Sequence, residues 1–398
     1  MSDLKILTEN IEEQALKQIN ELVNHPAFKE CKIRIMPDVH AGKGCVIGFT
    51  ADMKDKVVPN LIGVDIGCGI YVAEIGEIDI DYEKLDDVIR IHVPSGRNVH
   101  DAENNYAKHL ISSLHCAGEL KEKSWLYRSL GTLGGGNHFV EIDESDDMKY
   151  LVIHSGSRNL GKQVCEIYQQ KAIDNISGKN KLKDEIKETI RRYTLTGKQK
   201  EIEKRIQELK EAQKITSPEI PKELCYLDGL DRKNYFHDMD VCQRFASMNR
   251  VYMAKAICEN MGWTTIRGVF ESIHNYINFS DRITRKGAIS AHKGERLIIP
   301  LNMRDGCIIG VGKGNPDWNC SAPHGAGRIM SRSKAKELVS MDEFKKSMDG
   351  IYTTSVNETT IDESPMAYKK AQEIIDSIKP TVEIEKIIKP VYNFKASE

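Results

Sequence analysis

The chain has 398 residues, 40% of them hydrophobic and 29% charged, with a net charge of −2 at pH 7. That balance suits one large or two smaller globular domains, and no apolar run approaches the ~18–20 residues that cross a bilayer. Membrane-spanning and broadly disordered classes are thereby excluded, and without a basic excess any nucleic acid must meet a local patch. The start, Met1-Ser2-Asp3-Leu4-Lys5, does not read as a secretory signal, so a cytoplasmic location is expected. Ten cysteines with no Cys-x-x-Cys pair are expected to be mostly reduced, buried and inert.

In chain order, the opening segment predicts an amphipathic helix with Asn10 and Glu13 as a capping box, Leu16, Ile19 and Val23 at helical spacing, and Pro26 as its stop. Short β-type runs follow at 33–35, 45–49, 57–58 and 71–73, broken by Gly, Asp and Pro. A second such region covers 131–161 and a third 266–328. Between them, residues 176–218 are rich in Lys, Glu, Arg and Gln with Ile186, Ile190, Ile202, Ile206 and Leu209 at helical intervals. This predicts a helical hairpin turning near Gly197, read either as a solvated protruding insert or as an RNA-contacting arm. Residues 248–261 predict a core helix, and 331–339 another. No repeat or linker divides the chain, so a single mixed α/β (α+β) domain over 1–398 is expected, with 176–218 as an insert.

The strongest local text is Gly63-Val64-Asp65-Ile66-Gly67-Cys68-Gly69. A thiolate and a carboxylate three residues apart in a glycine-rich turn can converge on one metal, and a thiolate can bridge two. His138 ends Gly134-Gly135-Gly136-Asn137-His138, His154 opens His154-Ser155-Gly156-Ser157-Arg158, and His274 stands in Ser272-Ile273-His274-Asn275. Each histidine sits at the edge of a strand-like run beside small or amide residues. One such histidine is usually structural; three, together with Asp65 and Cys68, favour a metal centre. The mixed N, O and S donors suit Mn, Fe, Co or Zn better than Ca or Mg. His324 lies in the small-residue loop Ser321-Ala322-Pro323-His324-Gly325-Ala326-Gly327-Arg328 ahead of a helix start, a setting for phosphate where a neutral imidazole can act as a nucleophile at phosphorus. Asp38 and His40, in the 37–44 run, read either as supporting groups or as a plain turn. No Walker-type phosphate loop is present.

Taken together these motifs resemble the RtcB-type RNA-splicing ligases. Met36-Pro37-Asp38-Val39-His40, 63–69, 134–138, 154–158 and 324–328 occur in that family's order and spacing. The resemblance, which runs from Met36 onward, implies a single unusual α/β domain that joins an RNA 3′-phosphate or 2′,3′-cyclic phosphate to a 5′-hydroxyl, in tRNA splicing or RNA repair, using GTP and two Mn²⁺ ions. It implies that Cys68 bridges the ions, that His154 and His274 complete one and Asp65 with His138 the other, and that His324 is guanylylated. It further implies that Asn137 and Asn275 hold GTP phosphates and Glu141 reads guanine. Asn302 and Lys395 would contact the nucleotide, and Arg158 and Arg328 the RNA phosphate. Two departures mark a divergent branch. Leu301-Asn302-Met303-Arg304-Asp305-Gly306 stands where many relatives have Gly-Ser-Met-Gly, and Lys395 is followed by three further residues. The rival readings are a metallo-phosphohydrolase acting on cyclic phosphate ends, which needs no nucleophilic His324, and a non-catalytic RNA-end-binding protein with a structural metal. Whether a partner protein activates the chain is not legible in the sequence.

Overall fold

Alternating apolar positions build three sheets in the computed structural model, which describes residues 2–42, 44–212 and 220–396. The end of the expected 176–218 hairpin, Lys43 of the 37–44 run and the last two residues lie outside the described residues. A five-stranded sheet runs β1 (Asp3–Ile6), β2 (Lys32–His40), β3 (Ile47–Asp52), β9 (Ile283–Lys286), β8 (Asn275–Ile277), with only β1 and β2 parallel. A two-stranded sheet pairs β10 (Ala288–Ser290) with β13 (Ser321–Pro323).

The largest sheet follows β11 (Arg296–Asn302), β12 (Gly306–Gly312), β15 (Val382–Lys395), β5 (Phe139–Ser145), β6 (Met148–Ser155), β4 (Gly69–Gly76), β7 (Gly268–Ile273), with β14 (Tyr352–Thr353) beside β15. Ile298 N donates to Ser272 Oγ at 3.1 Å, linking the two edge strands β11 and β7, so the sheet nearly closes on itself. Period-two alternation sends the strands' side chains to both faces. Ile70, Val72, Val152, Ile298, Ile309 and Ile388 cluster on one face. Val140, Ile142, Leu151 and Ile153 cluster on the other, against Met253 and Ile257 of a long helix.

That helix, Gly229–Met261, is 33 residues long. The sequence shows its second half clearly and hides the first, because Asp238 interrupts the apolar stripe there; Asn249 and Arg250 are polar residues inside the legible half. All three are fully buried, and each is saturated with partners. Asp238 accepts from His115 N, Cys116 N, Tyr168 Oη and His237 Nδ1. Asn249 Oδ1 accepts from Gly131 N and Thr132 N at 2.7 and 3.0 Å, while its amide donates to Thr132 O, Ser155 Oγ and Gly156 O. Arg250 donates to Gly67 O and Ser155 O at 2.9 and 2.7 Å and pairs with Glu271.

The N-terminus differs from the sequence reading. Residues 3–6 form a strand because they pair with β2, and the first helix begins only at Glu13. Its cap is Glu12, with no side-chain cap bond; Asn10 instead donates to Glu373. The buried face is Ala15, Ile19 and Leu22, leaving Leu16 exposed. The expected 57–58 strand is reduced to a single bridge, Val57 to Leu227. Helices Lys179–Leu195 and Ile202–Ala212 flank Gly197, whose φ of +71° suits the turn. The cysteines are all unpaired, nine buried and Cys320 half-buried.

Asn249→Ala leaves two buried amides without an acceptor. It is expected to lower the unfolding free energy by about 2–4 kcal/mol, read from equilibrium denaturation. A loss under about 0.5 kcal/mol would mean that other groups satisfy those amides.

Candidate metal centre and adjoining cavity

The turn holding Asp65 and Cys68 is fixed by its backbone before any side chain acts. Cys68 N donates to Asp65 O, Gly67 N to Asn275 O, and His274 N to Cys68 O. The last bond ties the thiol's own residue to a second histidine segment, the connection between β7 and β8. His154 lies on β6, paired in register with Ile70 of β4 and Phe139 of β5. His138 enters β5 from the glycine run. Two glycines there answer to close approach: a Cβ on Gly134 (φ +81°) would lie 1.7 Å from the Arg158 guanidinium, and one on Gly156 would lie 2.1 Å from Asp65 Oδ1.

These segments deliver a tight cluster. Cys68 Sγ lies 3.3 Å from His154 Nε2 and 3.5 Å from His138 Nε2, and His138 Nε2 lies 3.0 Å from Asp65 Oδ2. Two sets of donor atoms each fall within 4.8 Å of one another: Cys68, His154 and His274, and Asp65, Cys68 and His138. Cys68 belongs to both. The imidazoles of His138, His154, His274 and His324 form a row, with successive centroids 5.3, 5.1 and 4.9 Å apart.

The protonation chemistry suits a cation. Burial keeps His154 and His274 well below the usual imidazole range, so both are neutral with a lone pair to give. His138 Nδ1 donates to Leu133 O at 2.8 Å, which fixes the ring so that Nε2 faces Asp65 and Cys68. Burial pushes Asp65 up, but the His138 hydrogen bond and then the His138 and Arg158 charges outweigh it and hold the carboxyl low. Burial and Asp65 raise the Cys68 thiol far above its usual value, so a thiolate there needs a cation. His274 Nδ1 is buried without a hydrogen-bond partner. Neutral imidazoles, an ionised carboxylate, a thiol and an orphaned ring nitrogen fit one or two borderline divalent metals.

His324 closes the row. Its Nδ1 meets Asp38 Oδ2 at 2.7 Å, and its backbone N donates to the same oxygen at 3.1 Å. Asp38 is fully buried, so the plain-turn reading of this residue does not describe its side chain. With the Nδ1 proton given to Asp38, the lone pair sits on Nε2. At the start of helix Arg332–Leu338, Ser331 Oγ accepts from Lys334 N, so one of the N–H groups of the expected anion site is already engaged.

His324 also borders a cavity of about 330 Å³ whose lining includes Asn137, Phe139, Glu141, Asn302, Arg328 and Lys395. Glu141, on β5, is buried and accepts a hydrogen bond from Asn393 Nδ2. Lys395 Nζ bonds Glu363 at 2.9 Å, and Arg328 and Arg332 reach the same carboxylate. Burial pushes Glu363 up, but those three cations outweigh it and bring it to about 2. Leu301 and Met303 bury their side chains in the cavity wall, while Asn302 Oδ1 caps the turn by accepting from Arg304 N and Asp305 N. Asn275 does not line the cavity; its amide group holds Asp65 O and Gly287 N. Arg158, in the left-handed region at φ +58°, lines a second cavity, on the Asp65 side, with Arg97, Trp125 and Lys162.

Asn249, Arg250, Asn393 and Glu363 escaped the sequence reading. The available signal was a polar Asn-Arg pair inside an apolar helix; the other two have no local signature.

A family model described as tRNA-splicing ligase RtcB matches residues 18–120 and 116–396. RNA-splicing ligase RtcB of Escherichia coli strain K12 is 30% identical, with 94% of this chain and 92% of that protein aligned. tRNA-splicing ligase RtcB of Archaeoglobus fulgidus is 25% identical over 94% and 88%, and that of Methanococcus maripaludis 24% over 94% and 89%.

The shared position of Cys68 sets a differential expectation. Cys68→Ala should abolish metal binding, whereas His138→Ala should keep metal at the Cys68, His154 and His274 donors. Elemental analysis after loading with Mn²⁺ checks this; equal metal content in the two variants would show that the thiol is not shared.

Proposed function

The chain belongs to the RtcB family, and from that premise we propose that it is a GTP-dependent RNA ligase acting in tRNA splicing or RNA repair. Its substrates in this reading are RNA ends bearing a 3′-phosphate or 2′,3′-cyclic phosphate and ends bearing a 5′-hydroxyl. The observation that carries the proposal is His324, held at Nδ1 by buried Asp38 and bordering a cavity that also holds Glu141. A metallo-phosphohydrolase whose nucleophile is metal-activated water has no need of His324 as a nucleophile, and a binding module has no need of one at all.

Cys68 would bridge two Mn²⁺ ions, one completed by His154 and His274 and the other by Asp65 and His138; when bound, the ions supply Lewis-acid neutralisation of phosphate charge. His324 Nε2 attacks the α-phosphorus of GTP, forming an N–P bond as the bond to pyrophosphate breaks. The imidazole becomes cationic in that step, and the Asp38 carboxylate 2.7 Å from Nδ1 stabilises the charge. An oxygen of the RNA 3′-phosphate then takes the guanylyl group, the N–P bond breaks, and His324 returns to its starting state. Finally the 5′-hydroxyl attacks the activated RNA phosphate and GMP leaves. A cyclic phosphate end must first be opened by water.

In the cavity, Glu141 accepts from guanine N1–H and the 2-amino group, a pairing adenine cannot offer. Lys395, Asn137 and Asn302 would meet the rest of the nucleotide. Asn275 would act on the phosphates only through the turn it braces. Arg158 and Arg328 are the proposed contacts to RNA phosphate.

Intact mass after incubation with Mn²⁺ and GTP should rise by one GMP, stable to alkali, labile to acid and absent in His324→Ala. Asp38→Asn should keep GTP binding but slow adduct formation by on the order of 10²–10⁴-fold, since the proton is then misplaced. An adduct on lysine, or full speed in Asp38→Asn, would sink the scheme. A second comparison addresses the base: wild type should prefer GTP to ATP by on the order of hundreds-fold, and Glu141→Ala should erase most of that preference.

A further inference from the structure

Behind Glu141 lies a second carboxyl that the proposed reaction does not use. Asp143 is two residues further along β5, so both side chains leave the same face of the strand. Donor atoms of Glu141, Asp143 and Cys307 all lie within 4.8 Å of one another. Asp143 and Cys307 are buried to 0% and 1% exposure, and Glu141 to 3%. Neither oxygen of Asp143 has a hydrogen-bond partner. Its register neighbours are Tyr150 on β6 and Pro390 on β15, and Tyr150 and Cys307 belong to the apolar cluster on this face of the sheet.

Two carboxylates this close and this buried cannot both ionise. The surroundings decide which one keeps the charge. Glu141 receives the Asn393 amide, and its nearest cation is Lys395, itself held by Glu363. Asp143 has only the distant Lys389, whose ammonium donates to Asp305 O, and the Cys307 thiol. A metal ion in place of the proton would need a fourth ligand and an ionised thiol. The cluster offers three groups, burial and the two carboxylates push the Cys307 thiol far up, and neither Asp143 nor Cys307 lines the cavity.

We infer that Glu141 and Asp143 share one proton, held on Asp143, so that Glu141 alone carries the charge that reads the nucleotide base and base selection varies with pH. This rests on the base-reading role proposed for Glu141. Burial lifts the Glu141 carboxyl to about 7, with Lys395 and Asn393 pulling it down, while burial and then Glu141 lift Asp143 much further. Raising the pH through about 7 therefore ionises Glu141 and leaves Asp143 neutral. Below that point Glu141 gains a proton, loses an acceptor for guanine and can donate to N1 of adenine.

Two measurements test this. Infrared difference spectra of wild type well above the Glu141 midpoint of about 7 should show the C=O stretch of a protonated carboxyl, shifted in D₂O, lost in Asp143→Asn and kept in Glu141→Gln. This arm needs no nucleotide, so it stands even if Glu141 does not read guanine. Absence of the band in wild type, its loss only in Glu141→Gln, or an extra metal equivalent that disappears in Cys307→Ser would overturn the shared proton. In the second arm, the ratio of GTP to ATP affinity should fall about tenfold per pH unit below about 7 and level off above it, as one coupled proton requires. In Asp143→Asn, where a neutral amide donor replaces a neutral acid, the midpoint should stay near its wild-type position. A ratio above one that does not change with pH, or a midpoint that falls by about a unit or more in Asp143→Asn, as losing a charged neighbour would cause, also overturns the inference. Equal affinity for GTP and ATP at every pH, with the band intact, would instead remove the base-reading role.

Discussion

Everything at the candidate centre depends on Arg250, a guanidinium with no solvent exposure that donates to Gly67 O and Ser155 O at once. Those carbonyls belong to the Cys68 turn and to the residue after His154. Next to it in the helix, Asn249 holds Gly131, Thr132 and Gly156, the approaches to His138 and the exit from His154. A buried charge without partners would cost several kcal/mol; here Glu271 neutralises it and backbone carbonyls take its remaining protons. One helical turn thus sets the spacing of three ligand-bearing segments.

The cavity beside the centre has a graded electrostatic character. At one end Glu363 gathers Lys395, Arg328 and Arg332 into a compact ionised group. At the other, Glu141 has one amide donor and a protonatable neighbour. A carboxylate ringed by three cations stays ionised across the physiological range, whereas one that has a single amide donor and only a share of Lys395 lies near the point where it takes up a proton. The same residue type therefore does structural work at one end and is available to a ligand at the other, and the difference comes from neighbours on β15 and the 361–368 segment rather than from burial, which is nearly equal.

Much of the centre was legible because metal ligands leave local traces: a carboxylate and a thiol three residues apart, and histidines where apolar runs meet glycine or serine. All five expected ligands and His324 come together in space. The mixed α/β class was legible from alternation broken by turn residues. What was hidden depends on distant partners. β1 exists because β2 lies beside it, and the alternation of its own four residues is too short to declare a strand alone. The first half of the long helix was masked by Asp238, whose burial makes sense only once His115, Cys116 and Tyr168 surround it. Asp38 looked like a turn residue because its partner lies 286 positions away.

Separation along the chain also sets an order of events during synthesis. Asp65 and Asn275, which meet through a hydrogen bond, are 210 positions apart, so the Cys68 turn leaves the ribosome long before the segments that complete it. Contacts this distant carry a loop-closure cost that delays their formation. Until the long helix docks, Cys68 lacks the burial that chiefly suppresses its ionisation, and its thiol is closer to that of an ordinary cysteine. The nascent chain therefore exposes to oxidation a thiol that the finished protein buries, and the timing of helix docking decides how long that exposure lasts.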